Sequence, residues 1–152
     1  MKLRVRFFLA YILLVVTTYG HTAHLNMVRV KQPFPETMLK LQEVIKEHGY
    51  KLSRVQRVDI GLTASGYQTD KYRVVFFARH DEFRWIIANH PELIPYLPLK
   101  IAIYAEGKDT IMVVYNPKIL FQPKSGKLKD IINRWEKDLE SIFRVMREYE
   151  GE

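Results

Sequence analysis

The sequence contains no cysteine. That excludes disulfides, cysteine zinc centres, a thiol nucleophile and a lipid anchor attached through Cys. Glycine and proline are sparse, seven of each in 152 residues, so no collagen-like or low-complexity class fits. No segment repeats at a period of roughly 20–50 residues, which excludes solenoids and propellers. The chain also lacks a phosphate-binding P-loop, a Gly-x-Gly-x-x-Gly turn, an HExxH helix and any His-x-His pair. Ser53, Ser65, Ser125 and Ser141 have no Gly-x-Ser-x-Gly elbow around them. Asp59, Asp81 and Glu106 are the remaining carboxylates of interest. The first two are expected to cap helices, and Glu106 to sit in a hairpin turn. Neither catalytic residues, nor metal ligands, nor a cofactor are assigned. An enzyme is therefore the weaker reading.

What is present is a core-forming composition. Apolar residues make up 47% and charged residues 27%, which suits one globular domain. The net charge is +7, of which Lys2, Arg4 and Arg6 hold three. The mild excess on the rest is too small to argue for nucleic acid. Arg54, Arg57, Lys71, Arg73, Arg79 and Arg84 do interleave with Tyr67, Tyr72, Phe76 and Trp85, as on a nucleic-acid face. Read as a solvated basic surface they need no such partner, and none is assigned. His80 and His90 bracket a short helix and stand roughly 13 Å apart at about 1.5 Å per residue, too far to share one metal.

The first 23 residues read as an address. A basic start, Lys2–Arg6, precedes an unbroken apolar run of ten residues, Phe7–Val16, and then a polar stretch rich in small residues. That is the layout of a signal peptide. A spanning helix needs about 20 apolar residues, twice this run. The domain, residues 24–152, is expected outside the cytoplasm, periplasmic or secreted. Two imperfect small-x-small junctions, ending at Gly20 and Ala23, leave both a cleaved leader and an uncleaved anchor open. The membrane enters only through that second case. Cleavage after Gly20 would expose His21, whose amine and imidazole could chelate copper. A disordered stub is the plainer reading.

Beyond the leader the elements alternate. Leu25–Val30 is a strand by its β-formers. Pro35 and Glu36 open a helix carrying Met38, Leu41, Val44 and Ile45, and Gly49 ends it. Leu52–Ile60 reads as a second strand with a bulge. One turn follows, capped by Asp59 and ended by Gly66. Tyr72–Phe77 is apolar on both faces, as in a central strand. Asp81–Asn89 is a short helix with Phe83, Ile86 and Ile87 inward. Leu99–Ala105 and Thr110–Tyr115 form a hairpin around Gly107. In the last segment Leu128, Ile131, Ile132, Trp135, Leu139, Ile142, Phe143 and Met146 make one helical stripe. Asp130/Arg134 and Glu140/Arg144 are expected to pair on its other side. The order β-α-β-β-α(short)-β-β-α predicts an α+β two-layer sandwich. An antiparallel sheet of about five strands would carry two long helices on one face.

Several of these stretches together resemble the domain-of-unknown-function 302 family. They are Thr37, Leu41 and Gly49 in the first helix, and Asp59 with Ala64-x-Gly66. The Tyr72–Phe77 strand follows, then Leu97, Pro98, Ile101, Tyr104 and Glu106. Met112–Tyr115 closes on Asn116-Pro117. The resemblance spans about residues 25–145 and implies the same β-α-β₄-α fold, with dimers among its members and no established activity. This chain departs from it at Leu99, where many members carry Cys, and at Ala78–Asp81, where many carry Asn-Pro. A thiol or metal role of that Cys does not transfer.

Pro91–Pro98 is unusually apolar for a connection, which points to core cover, a pocket rim or an interface. Tyr67, Arg79, His80, Tyr96, Pro98 and Tyr104 are the candidate ligand-binding or interface residues. They fit an exported binding or assembly module that takes a small, partly apolar ligand or a second copy of itself as a homodimer. The alternative is an accessory enzyme of the same compartment, hydrolytic or redox-associated.

Overall fold

The structure is a computed structural model that describes residues 24–151. The leader reading, including His21, lies outside the described residues. Five strands form one sheet in the order β1-β5-β4-β3-β2, every neighbouring pair antiparallel. They are β1 (Leu25–Val30), β2 (Lys51–Arg57), β3 (Tyr72–Ala78), β4 (Leu99–Glu106) and β5 (Asp109–Tyr115). Helix α1 (Phe34–Glu47) and the long α5 (Gly126–Glu148) carry most of the helical core. Three short helices, α2 (Val58–Ala64), α3 (His80–Asn89) and α4 (Pro117–Phe121), and a 3-10 segment at Pro91–Tyr96 fill the connections. This is the expected α+β sandwich.

Strand alternation sorts the sheet into two faces. Val28, Met112 and Ile103 lie in one rung, and Val75 with Ile101 and Phe77 with Leu99 in others. All belong to the core under the helices, against Leu41, Ile45, Ile132, Leu139, Ile142 and Met146. Seven of the eight stripe residues of α5 are buried, and Leu128 packs at the margin. Among the described residues Thr37 and Thr110 are the buried polar side chains. Thr110 donates to the Gln32 carbonyl at 2.9 Å, and Thr37 to the Pro33 carbonyl at 2.9 Å, so neither hydroxyl is left unsatisfied.

Several local expectations are corrected. The second strand ends at Arg57, not Ile60, because Val58–Ala64 is helical. Asp59 caps nothing: it lies in the first turn of α2 and pairs with Arg73 across the loop. Asp81 is likewise inside the first turn of α3, paired with Arg84 on the surface. Ile87 faces outward, and Trp85 takes the inward place beside Ile86. Arg134 does not turn back to Asp130 but reaches Glu82 on α3, since a half-buried carboxylate needs a partner more than an exposed one. Arg144 meets Ser141 rather than Glu140. Glu106 ends β4 and pairs with Arg29. The bulge in β2 is present, between Leu52 and Arg54. Helix α4, which the sequence reading omits, is built by Asn116, whose side-chain oxygen accepts from the Lys118 amide at 2.9 Å, followed by Pro117 at the first position.

Candidate ligand-binding trough

Both long helices lie on one side, so among the described residues the opposite face of the sheet has no helical cover. Its rungs can be read across the register. Met27, Val113, Ala102, Val74 and Gln56 form one, and Arg29, Ile111, Tyr104 and Tyr72 form another. Leu25 stands opposite Tyr115, and Lys100 opposite Phe76. Apolar side chains dominate this open side. Three depressions run along it, with volumes of about 30, 190 and 480 Å³. The first shares Lys100 and Tyr115 with the second, and the second shares Tyr72, Ala102 and Val113 with the third. They make one shallow trough. Tyr96, Leu120 and Phe121 close one end, and Tyr104, Lys71 and Asp70 the other.

Lys100 supplies a positive charge in the middle. Among the described residues it makes no ion pair, whereas Arg29, at the far end of the face, is held by Glu106 and Asp109. Tyr72 and Tyr104 meet edge to face at 6.4 Å between centroids, a contact that fixes both rings. At the other end Tyr96 packs edge to face on Phe121, which in turn packs on Trp135 in the core. The arrangement offers aromatic walls, an aliphatic floor and, at its middle, the ammonium of Lys100. It can hold an apolar body and balance an anionic group. Nothing in it aligns a nucleophile with a base.

The six residues singled out from the sequence separate. Tyr96 and Tyr104 stand at opposite ends of the trough. Pro98 follows the 3-10 segment through a cis bond and leads into β4. Tyr67 is exposed in the α2–β3 loop, and His80 is exposed at the start of α3. Arg79 is drawn under the helices instead. It donates to the His48 carbonyl at 2.6 Å and to Asp138 at 3.0 Å, and lies 4.7 Å from the Tyr50 ring centre. Tyr50 donates to the same Asp138 oxygen at 2.7 Å, and burial, reinforced by that carboxylate, pushes its phenol well above the ordinary range. Glu82 accepts from Trp135 at 2.7 Å and from Arg134. This network ties α3 and the end of α1 to α5.

The sequence reading missed Lys100, Tyr72, Val74, Ala102, Val113 and Tyr115 as a set. A signal was available. β5 runs Ile111-Met112-Val113-Val114-Tyr115 without a polar break, and β3 is apolar on both sides. A sheet covered on one side only should alternate polar and apolar residues. It also missed a contact between His48 and Ser141. His48 Nε2 lies 3.0 Å from Ser141 Oγ, and its Nδ1 lies 2.8 Å from the Val44 carbonyl, which fixes Nδ1 as the donor. The pair resembles a nucleophile with its base. Ser141 nevertheless sits within α5, where the backbone amides are spent on the helix itself and form no oxyanion pocket. The contact clamps the end of α1 to α5.

The chain is a one-sided α+β sandwich with an open, largely apolar face. A sequence model described as "Domain of unknown function DUF302" matches residues 26–146, and the chain belongs to that family. It is similar to the crystal structure of an uncharacterized conserved DUF302 protein from Bacillus stearothermophilus. There the TM-score is 0.73 at 21% identity, covering 83% of this chain and 100% of that one. That likeness concerns the fold. No curated protein matches the chain. The family's motif residues have structural roles here. Thr37 satisfies a buried carbonyl, Gly49 turns the chain after α1 with a φ of 78°, and Asn116-Pro117 starts a helix.

Proposed function

We propose that the protein is an exported, non-catalytic binding module. Its trough takes a small, partly apolar molecule bearing one acidic group. The observation that carries this reading is the uncovered strip of Tyr72, Val74, Ala102, Val113 and Tyr115 with Lys100 among them. An apolar body laid on the strip removes its surface from water, worth about 25 cal/mol per Å². The ammonium of Lys100 favours an anion over a neutral molecule of the same shape. The trough is built on paired strands, so little ordering is needed on binding.

Anilinonaphthalene sulfonate, an apolar anion, is a direct probe. The native protein should bind it saturably. Lys100→Glu should weaken binding by about tenfold, the scale of one charge-assisted contact. Val113→Asp should abolish it with the circular dichroism unchanged. Absence of saturable binding, or equal binding by all three proteins, would overturn the reading.

A further inference from the structure

We infer that the acidic, partly apolar molecule of the trough is a lipid, and that the open sheet face docks on an anionic bilayer surface. This rests on the binding reading above and names the source of its ligand. The exposed apolar side chains of the sheet gather in one place. Leu25, Met27 and Tyr115, at 44%, 58% and 53% exposure, stand together on the open side, where β1 pairs with β5. Tyr96 and Leu120, also exposed, line the adjoining end of the trough. A contiguous exposed apolar patch marks a contact surface. Tyr72, Tyr96, Tyr104 and Tyr115 all line the trough. Each is an apolar ring with a polar tip, the kind of side chain enriched at the headgroup level of bilayers.

Charge points the same way. Arg54 lies opposite Phe76, and Phe76 opposite Lys100. The two cations therefore flank one aromatic ring, about 10 Å apart by two strand spacings. Among the described residues neither is in an ion pair. The two rungs that hold Leu25, Tyr115, Lys100, Phe76 and Arg54, and Met27 through Gln56, contain no carboxylate. Glu106 and Asp109, at the far end of the face, both pair with Arg29. An apolar face with cations and no acid in its middle complements lipid headgroups of negative charge.

The path of the chain selects a bilayer over a soluble partner. Eight residues, 17–24, separate the apolar run of residues 7–16 from Leu25, and they reach at most about 28 Å when extended. Five strands at about 4.8 Å spacing span roughly 20 Å, so the whole face lies within that reach. A tether of this length raises the local concentration of the face at any bilayer the run enters, so a shallow contact suffices. A soluble protein would have to match the relief of the trough, whereas a fluid bilayer conforms to it.

Co-sedimentation of the full chain with vesicles tests the inference. The native protein should partition onto vesicles of equal parts phosphatidylcholine and phosphatidylglycerol, and at least about tenfold less onto phosphatidylcholine alone. Lys100→Gln combined with Arg54→Gln should lower partition by about thirtyfold, about fivefold for each basic residue at an anionic surface. Met27→Asp should lower it by about tenfold. Leu39→Asp, as exposed but on helix α1, should leave it unchanged. All four positions are exposed, so the fold should persist, as circular dichroism can verify. Equal partition onto neutral vesicles overturns the inference. So does partition indifferent to Met27, Lys100 and Arg54, which would assign the binding to residues 1–23 alone. Displacement by inorganic phosphate beyond that by chloride of equal ionic strength overturns it too, because the site would then take a free anion. Saturable binding of anilinonaphthalene sulfonate without partition overturns the lipid and leaves the trough reading standing; absence of both removes the two together.

Discussion

On the helix side of the sheet Val75, Ile101, Ile103 and Met112 are fully buried. One residue along on the same strands, Val74, Ala102 and Val113 are half exposed, although their side chains are of the same kind. Composition does not distinguish the two sets. What does is that α1 and α5 both lie on one side. Burial on that side holds the fold together. On the other, apolar surface of the same kind remains in part exposed to water. The two faces should therefore differ in how much a substitution costs the fold, and the proposed binding role falls to the open one.

The largest contrast is expected between Leu139→Ala and Val113→Ala. Leu139 is almost wholly buried, and emptying its site should cost about 2–5 kcal/mol. Val113→Ala removes less and from a half-open place, for about 1 kcal/mol or under. Urea denaturation measures both, and equal costs would mean that the faces are not as described. Next in size is Arg79→Ala. It leaves Asp138 and Glu82 short of a partner beneath the helices, for about 2 kcal/mol once partial exposure is discounted. Arg84→Ala, whose partner Asp81 is a surface residue, should stay within about 0.5 kcal/mol.

The 3-10 segment divides in the same manner on a smaller scale. Leu93 packs on the core and Ile94 is exposed, so Leu93→Ala should cost about 1–2 kcal/mol and Ile94→Ala about 0.5 or less. Tyr96, half exposed at the end of the trough, should resemble Ile94 in stability while affecting probe binding. The smallest effect is electrostatic. The Arg73 guanidinium, donating to Asp59, holds that carboxyl below its ordinary value of 3.8. A depressed native value stabilises the fold above the unfolded one, and that contribution fades as pH falls through the native value. The stability difference between the native protein and Asp59→Asn should therefore be constant above about pH 5 and shrink below pH 4. A difference that grows on acidification would contradict the pairing.

How far the sequence reached can be seen element by element. The α5 stripe was legible because eight apolar residues at 3-4 spacing leave one consistent face. The hairpin at Gly107 was legible because that position has a φ of 61°, which glycine adopts without strain. The end of β2 was not, because Val58-Asp59-Ile60 is compatible with strand or helix until Arg73 offers Asp59 a partner. Arg79 and His80 were grouped for their neighbourhood in the chain, yet the backbone turn into α3 leaves one side chain under the helices and the other in solvent. Tyr96 and Tyr104 were named for their chemistry, and the fold sets them at the two ends of a single trough.

By itself the sequence determined most of the helices and strands, which helical faces are apolar, and that one antiparallel sheet carries the two long helices on one face. These follow from local periodicity and backbone preference, which act within a few residues. Only the tertiary structure decided which side chains meet on the face that the two long helices leave open: Tyr72, Val74, Lys100, Ala102 and Val113. Those residues come from three strands, and their adjacency is set by register and layer order, which local pattern does not encode.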